Sequence, residues 1–249
     1  EISECLVGSE MCIRDSHVRI QVLCNGMDIQ SCFKKANEID DYIDAHFDYA
    51  FDEKYGYKTT FPTNTGTGMK AGYTLHLPSL SDARRLNDIS AELGRFGLKF
   101  RTVYGDGQNG YGNLYQISTQ KTLGQDEREV IKDLDDIVLQ IVNQEKEQRE
   151  HFYKKDKIQM DDEIYKSYGV LKYARKLSLK DSMVLISELM TGISLGVLQF
   201  AHNGRYNINE LIMDIQPAVL RQNSGKAMSV AETDVLRAEY IRKYLPEII

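Results

Sequence analysis

The sequence carries no excess of basic residues: 31 Lys and Arg stand against 37 Asp and Glu, for a net charge of −6. Broad, non-specific nucleic-acid binding needs a basic footprint, so that class is set aside, although a local cationic pocket is not. No apolar run approaches the roughly 20 residues that cross a bilayer, so no membrane association is expected. Nothing near the start joins a basic region to an apolar one, so no secretory leader is expected. There are four cysteines. Nothing in the sequence establishes a pairing of Cys24 with Cys32, and no Cys/His cluster has zinc-site spacing. A reduced, cytoplasmic setting is the simplest reading. Internal repeats are absent too. Two familiar phosphate motifs also fail. The Walker A pattern is excluded because Lys70 is followed by Ala71 and the glycine spacing is wrong. A Gly-x-Gly-x-x-Ala match at Gly66, Gly68 and Ala71 is followed by a strand pattern, whereas a dinucleotide fingerprint needs a helix there.

What is present is ordinary globular material. Hydrophobic residues are 42% and charged residues 27% of 249, enough for one large domain or two smaller ones around a substantial core. The stretch Phe61–Pro78, FPTNTGTGMKAGYTLHLP, organises the rest. Its first half is a turn-forming run of Pro, Thr, Asn and Gly. Its second half alternates, with Met69, Ala71, Tyr73, Leu75 and Leu77 on one face and Lys70, Gly72, Thr74 and His76 on the other. A Gly/Thr loop presenting backbone N–H groups beside Lys70 suits an anion such as phosphate. The competing reading is an ordinary hairpin turn.

Around this stretch, the pattern predicts a strand at His17–Leu23 and an amphipathic helix over Ile29–Phe51, with Asp28 as its N-cap. The aspartates Asp40, Asp41, Asp44, Asp48 and Asp52 read as a solvated face. A helix is predicted over Ser81–Phe96, stopped by Gly97, then strands at Leu98–Tyr104 and Asn113–Ser118. Between those strands, Gly105–Gly112 is glycine-rich. A long helix is predicted over Asp126–Phe152, and the charged run Glu145–Lys157 reads as a domain boundary. Beyond it, helices are expected near Ile158–Ala174, Ser182–Met190, Asn209–Ile215 and Ser229–Tyr244. The last carries a capping box from Ser229 to Glu232.

PTNTGTGMKAG followed by LHLP resembles the signature loop and strand of the ATP:guanido phosphotransferases. Within them the chain is most similar to the bacterial protein-arginine kinases (McsB-type), relatives of creatine and arginine kinases. HVRIQ, FDYAFDEKYGY, FRTVYGDG, GNLYQISTQKTLG and LRAEYIRKYL extend the resemblance from about His17 to the C-terminus. It implies an α+β fold: an antiparallel sheet flanked by helices as the catalytic domain over 17–154, followed by a helical domain over 155–249. It implies ATP with Mg²⁺ as cofactors, and proteins with exposed arginines as substrates. A homodimer and Clp-type protease or adaptor partners are implied as well, in protein marking and stress control.

Residue by residue, the resemblance assigns nucleotide contacts to Arg19, Lys70, Ala71, Gly72, Tyr73 and Thr74. It also assigns them to Arg101, Thr102, Val103, Tyr104, Gly105 and Asp106. Asp106 matches the position of a catalytic carboxylate. Asp234, Arg237 and Ala238 match a phosphoarginine-binding motif. Departures are visible. Lys70 stands for an arginine, Phe61 for a cysteine, Asp106 for the usual Glu, and Thr233 for the motif's first arginine. Residues 6–16, LVGSEMCIRDS, resemble a translated sequencing adapter, so residues 1–16 are expected to be non-native. In the family an acidic Asn-Glu-Glu-Asp run precedes the His matched by His17. With other residues in its place, this chain alone is expected to phosphorylate arginine poorly. The alternative expectation is a non-catalytic interaction protein of the same fold.

Overall fold

The computed structural model of the chain describes residues 18–106, 109–200 and 208–249. In chain order these form helix α1 (Ile29–Asp44), a hairpin of β1 (Phe51–Asp52) and β2 (Gly56–Tyr57), and a 3₁₀ turn at Pro62–Asn64. Then come β3 (Gly72–His76), α2 (Pro78–Asp82), α3 (Leu86–Arg95), β4 (Leu98–Thr102), β5 (Gly105–Asp106), β6 (Asn109–Gly110) and β7 (Leu114–Thr119). The remainder is helical: α4 (Glu127–Lys155), α5 (Lys157–Tyr173), α6 (Leu179–Ser194), α7 (Ile208–Asp214), α8 (Pro217–Ser224) and α9 (Val230–Tyr244). The fold is α+β with a helical C-terminal part, as the sequence predicts.

The sheet has strand order β3–β7–β4. Its register follows from backbone bonds. Thr119 N–H donates to Ala71 O, and Leu77 N–H to Asn113 O. Val103 N–H donates to Leu114 O, and Gln120 N–H to Gly97 O. One strand's numbers rise as its partner's fall, so both pairings are antiparallel. The strand expected at His17–Leu23 is corrected. His17 lies outside the described residues, and 18–23 belong to no strand. Alternation of Val18, Ile20 and Val22 is local, whereas a strand also needs a partner edge, and Val18 stays 40% exposed.

The chain divides into two compact units. The first contains the described residues of Glu1–Leu75, with Leu86–Arg101 and Gln116–Asn143. Its buried side chains include Tyr73, Leu75, Leu98 and Ile117 from the strands and Ile131, Leu134, Val138 and Ile141 from α4. The helix residues recur at three- and four-residue spacing, which makes one apolar stripe. The Tyr73 hydroxyl donates to Asp135 at 2.6 Å, tying β3 to α4. Helix α1 starts where Asp28 predicts: its carboxylate accepts the Ser31 N–H at 3.2 Å. It ends at Asp44, short of the predicted Phe51. The N–H groups of His46 and Phe47 both turn to Ile43 O, and the chain doubles back. Tyr49 and Tyr57 can then both donate to Asp40, at 2.9 and 2.7 Å.

The second unit comprises His76–Arg85, Thr102–Tyr115 and Gln144–Ile249. Its core gathers Ile164, Leu171, Met183, Ile186, Leu189 and Ile241, among others. Pro78, which reads as a strand stop, also opens α2 at a first-turn position. The single helix predicted over Ser81–Phe96 is two, parted at Arg84, whose φ is +57°. Helix α8, opened by Pro217 at a first-turn position, escapes the sequence reading. The capping box of α9 is present in both directions.

Candidate functional site

The exposed face of the first unit's sheet segment gathers most of the predicted cations. From the register above, Thr74 faces Gln116 on β7, and Gln116 faces Arg101 on β4. One row along, Gly72 faces Ser118, which faces Lys99. Thr74, Lys99 and Arg101 are exposed, as is Lys70, which continues the β3 alternation toward the loop. With strands about 4.8 Å apart, Thr74 and Arg101 stand about 10 Å from one another across Gln116. Arg101 Nε donates to Gln116 Oε1 at 2.7 Å, which fixes the guanidinium over the central strand. Neither Lys70, Lys99 nor Arg101 forms an ion pair with a described residue. Gly72 is required here: a Cβ would sit 2.7 Å from Ile117 O. Ala71 is held at both backbone groups by Thr119, its N–H donating to Oγ1 at 3.1 Å. The Tyr73 side chain turns the other way, to Asp135. Burial first, then that carboxylate, raises its phenol's pKa.

The loop ahead of Lys70 is clasped from within. Thr122 Oγ1 donates to Thr65 O at 2.7 Å and lies 3.0 Å from Thr63 O. Thr67 N–H donates to Thr122 O. Asn64 N–H goes to Phe61 O, Gly66 N–H to Tyr57 O and Met69 N–H to Thr67 Oγ1. These four N–H groups are committed within the protein, so the loop offers an anion fewer backbone donors than its sequence suggests. Gly66, at φ +115°, passes so close to Thr122 O that a Cβ would lie at 2.1 Å. These bonds hold the loop that leads into Lys70. Phe61 is 49% exposed at its start.

Arg19 lies exposed in the irregular 18–23 segment of the first unit. Thr102, Val103, Tyr104, Gly105 and Asp106 belong to the second unit. There, Tyr104 stacks on Tyr111 with ring centroids 6.4 Å apart, and burial raises the pKa of its phenol. Gly105 and Asp106 form β5, paired antiparallel to β6 with Asp106 opposite Asn109. The Asp106 side chain and residues 107–108 lie outside the description. Elsewhere in the first unit, Asp44, Asp48, Tyr49, Phe51 and Tyr57 line a cleft of about 340 Å³. Its carboxylates make it the wrong sign for a polyphosphate.

The phosphoarginine-motif residues sit in the helical core. Arg237 is 1% exposed and Ala238 0%. Arg237 Nη1 donates to Asp234 Oδ1 at 2.6 Å and to Leu177 O at 2.9 Å, and Nε donates to Ile215 O at 3.0 Å. In this arrangement the guanidinium fastens α9 to the ends of neighbouring segments. Thr233 is buried as well, with its hydroxyl donating to Ser229 O.

Sequence reasoning passes over Lys99, although the β4 alternation that exposes Arg101 exposes it too. It also reads the charged run Glu145–Lys157 as a domain boundary without expecting buried charges in it. Helix α4 in fact continues to Lys155, with Glu145 and Arg149 buried. Glu145 accepts the N–H groups of Ser79 and Leu80 at 3.0 and 2.9 Å and pairs with Arg149 at 2.8 Å. Arg149 also bonds Ser194. Beside this pair, His76 Nε2 meets Ser187 Oγ at 2.8 Å, and Asn113 Nδ2 donates to the same oxygen at 3.1 Å. Burial, then the Arg149 charge, pushes the imidazole down to about 3. The i, i+4 spacing of Glu145 and Arg149 was the available signal, but helical ion pairs are usually exposed.

The description "ATP:guanido phosphotransferase, C-terminal catalytic domain" matches residues 9–148. "Protein-arginine kinase McsB C-terminal domain" matches residues 157–248. The chain is similar to the protein-arginine kinase of Bacillus subtilis, with 39% identity over 237 residues, covering 95% of this chain and 65% of that relative. It is similar to the protein-arginine kinase of Clostridium kluyveri, with 39% identity over 95% of this chain and 68% of that one. Among solved structures, a taurocyamine kinase from Schistosoma mansoni overlaps at TM-score 0.46 and 30% identity, covering 53% of this chain and 18% of that chain. The match over more than half of the sequence, with relatives of this identity, shows that the chain belongs to the ATP:guanido phosphotransferase family, among the protein-arginine kinases.

Proposed function

We propose that this chain supplies the nucleotide-binding part of a kinase that transfers the γ-phosphoryl group of ATP to arginine side chains in proteins. The observation that carries the reading is the solvent-exposed sheet face bearing Lys70, Lys99 and Arg101, with no ion pair to a described residue. A polyphosphate meets those cations without first breaking internal pairs. Phosphoryl transfer is mostly positioning and charge neutralisation, which is what fixed cations on a rigid sheet provide. Arg101, braced by Gln116, offers a forked donor set, whereas Lys70 offers a point charge on a clasped loop. Magnesium fits as a partner of the phosphates, since it takes water and phosphate oxygens rather than an all-protein cage. When bound, it neutralises charge between the β- and γ-phosphates.

The acceptor is harder to activate. An arginine guanidinium keeps its protons at ordinary pH, so a carboxylate must orient it and take a proton as the N–P bond forms. Asp106 is the residue of this chain matched to that role. Protein substrates with exposed arginines, a homodimer and Clp-type partners complete the reading as further expectations of the family.

The test uses ATP, Mg²⁺ and an arginine-rich protein, with phosphoarginine read by mass spectrometry. It is run on this chain and on a form completed with the segments of the Bacillus subtilis relative that it does not span. Phosphoarginine from the completed form, lost on Arg101→Ala, is expected. ATP binding without transfer in the completed form would overturn the catalytic reading and favour a non-catalytic interaction protein.

A further inference from the structure

Helix α1 ends at Asp44, and the chain doubles back into the β1–β2 hairpin. Between helix end and hairpin lies the cleft of about 340 Å³ lined by Asp44, Asp48, Tyr49, Phe51 and Tyr57. That volume is at the small end of the range for ligand clefts. The fold sets its three rings. Asp40, one turn before Asp44, accepts the Tyr49 and Tyr57 hydroxyls on its two oxygens, at 2.9 and 2.7 Å. Tyr57 then stands nearly perpendicular to the other two rings, at 79° to Tyr49 with centroids 5.4 Å apart and at 75° to Phe51 with centroids 5.2 Å apart. Edge-to-face contacts cover one face per pair, and Phe51 stays 55% exposed, so ring faces are left for another group. Carboxylates are left over as well. Asp44 and Asp48 are exposed and form no ion pair with a described residue. No basic residue stands in the last turn of α1, whose carbonyl end is itself negative. The hairpin's own cations are engaged elsewhere: Lys58 pairs with Asp52 at 3.3 Å, and Lys54 lies over the Tyr55 ring at 5.2 Å.

We propose that this cleft docks the guanidinium of an arginine side chain in a protein segment. A cation gains twice here, from ring faces and from unpaired carboxylates at a negative helix end. A planar, weakly hydrated guanidinium uses both: its face lies on a ring while its N–H fork reaches a carboxylate. An ammonium is a point charge with a tighter water shell and gains less. Neither tyrosine hydroxyl competes for the carboxylates that line the cleft, because both are bonded to Asp40. Phe47 and Tyr55, interspersed with these residues in the chain, are exposed. They offer apolar surface to the flanks of a polypeptide, which a free amino acid lacks. The cleft has no cation among its lining residues to neutralise a phosphoryl group, so an arginine is held there rather than phosphorylated there. Binding requires neither nucleotide nor phosphoryl transfer, and the proposal stands apart from the kinase reading.

The test titrates the whole chain, labelled on its Tyr and Phe rings, with a short peptide bearing one arginine among neutral residues, read by NMR. Saturable shifts of the Tyr49, Phe51 and Tyr57 rings are expected. The same peptide with citrulline, similar in shape but uncharged, should shift none, and with lysine it should bind more weakly. Asp44→Asn combined with Asp48→Asn should weaken the arginine peptide by about tenfold or more, since charge-assisted contacts are lost. Both positions are exposed, and asparagine relieves charge at the end of α1, so the fold is not at risk. Asp133→Asn combined with Asp136→Asn, exposed on α4, makes the same change in net charge and should leave binding intact. No ring shift in the cleft, undiminished binding after the Asp44 and Asp48 changes, or an equal loss after the α4 changes would overturn the proposal. Lysine or citrulline peptides binding as well as the arginine peptide would overturn the guanidinium, and free arginine binding as tightly would overturn the protein segment.

Discussion

Lys70 supplies one charge at the end of a loop in which four N–H groups are already bonded. Removing it should therefore matter more than the loop's glycines suggest. In a form that turns over, Lys70→Ala is expected to lower single-turnover phosphoryl transfer by about 10²–10³, by analogy with loss of one preorganised oxyanion donor. Lys70→Arg should keep most of the rate, since it keeps the charge and adds a fork. Equal rates for Lys70→Ala and the parent would remove Lys70 from the site. His76 gives a pH prediction. Its folded pKa of about 3 lies below the ordinary histidine value of about 6.5. Between the two, the unfolded chain binds a proton that the folded chain refuses. Stability should thus rise with pH across that window, by up to about 1.4 kcal/mol per unit, and level off above it. Denaturant melts between about pH 7 and about pH 4 should show this slope, flattened in His76→Gln. Arg237 is the third case. Arg237→Met removes the partner of Asp234 and leaves Leu177 O and Ile215 O without their donor. A loss of about 3–5 kcal/mol is expected, read as a lowered denaturation midpoint. A variant as stable as the parent, with phosphoarginine affinity changed, would instead make Arg237 a ligand residue.

At the scale of elements, the loop before β3 owes its shape to Thr122, far away in sequence. Thr122→Val keeps the volume but leaves Thr63 O and Thr65 O without the hydroxyl. It should cost about 1–3 kcal/mol and loosen the mount of Lys70, with faster amide exchange at Thr67 and Gly66. Unchanged exchange there would mean that the loop holds itself. Elements also show where local pattern speaks and where it stops. The alternation of Tyr73, Leu75 and Leu77 against Lys70, Gly72 and Thr74 was legible because a half-buried strand imposes period two on its own residues. The end of α1 was not, because Phe47 and Ala50 continue the helical spacing while the chain turns back so that Tyr49 reaches Asp40. The 18–23 segment alternates equally well, but alternation carries no information about a partner edge.

For the whole molecule, ligand binding should register as stability. If ATP binds the exposed sheet face, ATP at about 100 times its dissociation constant should add about 2.7 kcal/mol. For a chain of this size that raises Tm by about 5–11 °C. A shift retained in the Lys70→Ala, Arg101→Ala double variant would put the nucleotide elsewhere. Among the described residues, no helix is long and apolar enough to cross a membrane.

The sequence by itself determined the fold class, the family and the strand faces. Each of these is written in local spacing and in ordered motifs along one chain. It also placed Lys70 and Arg101 on the open strand face, because alternation sorts β4 as it sorts β3, while Lys99 went unread. Only the tertiary structure decided which donors remain available. It committed the N–H groups of Thr67 and Gly66 to Thr122 and Tyr57, turned Arg237 inward onto carbonyls from two other segments, and buried the Glu145–Arg149 pair beneath α2. Those outcomes depend on acceptors tens of residues away, and hydrogen-bond partners at that separation leave no periodic trace in the chain.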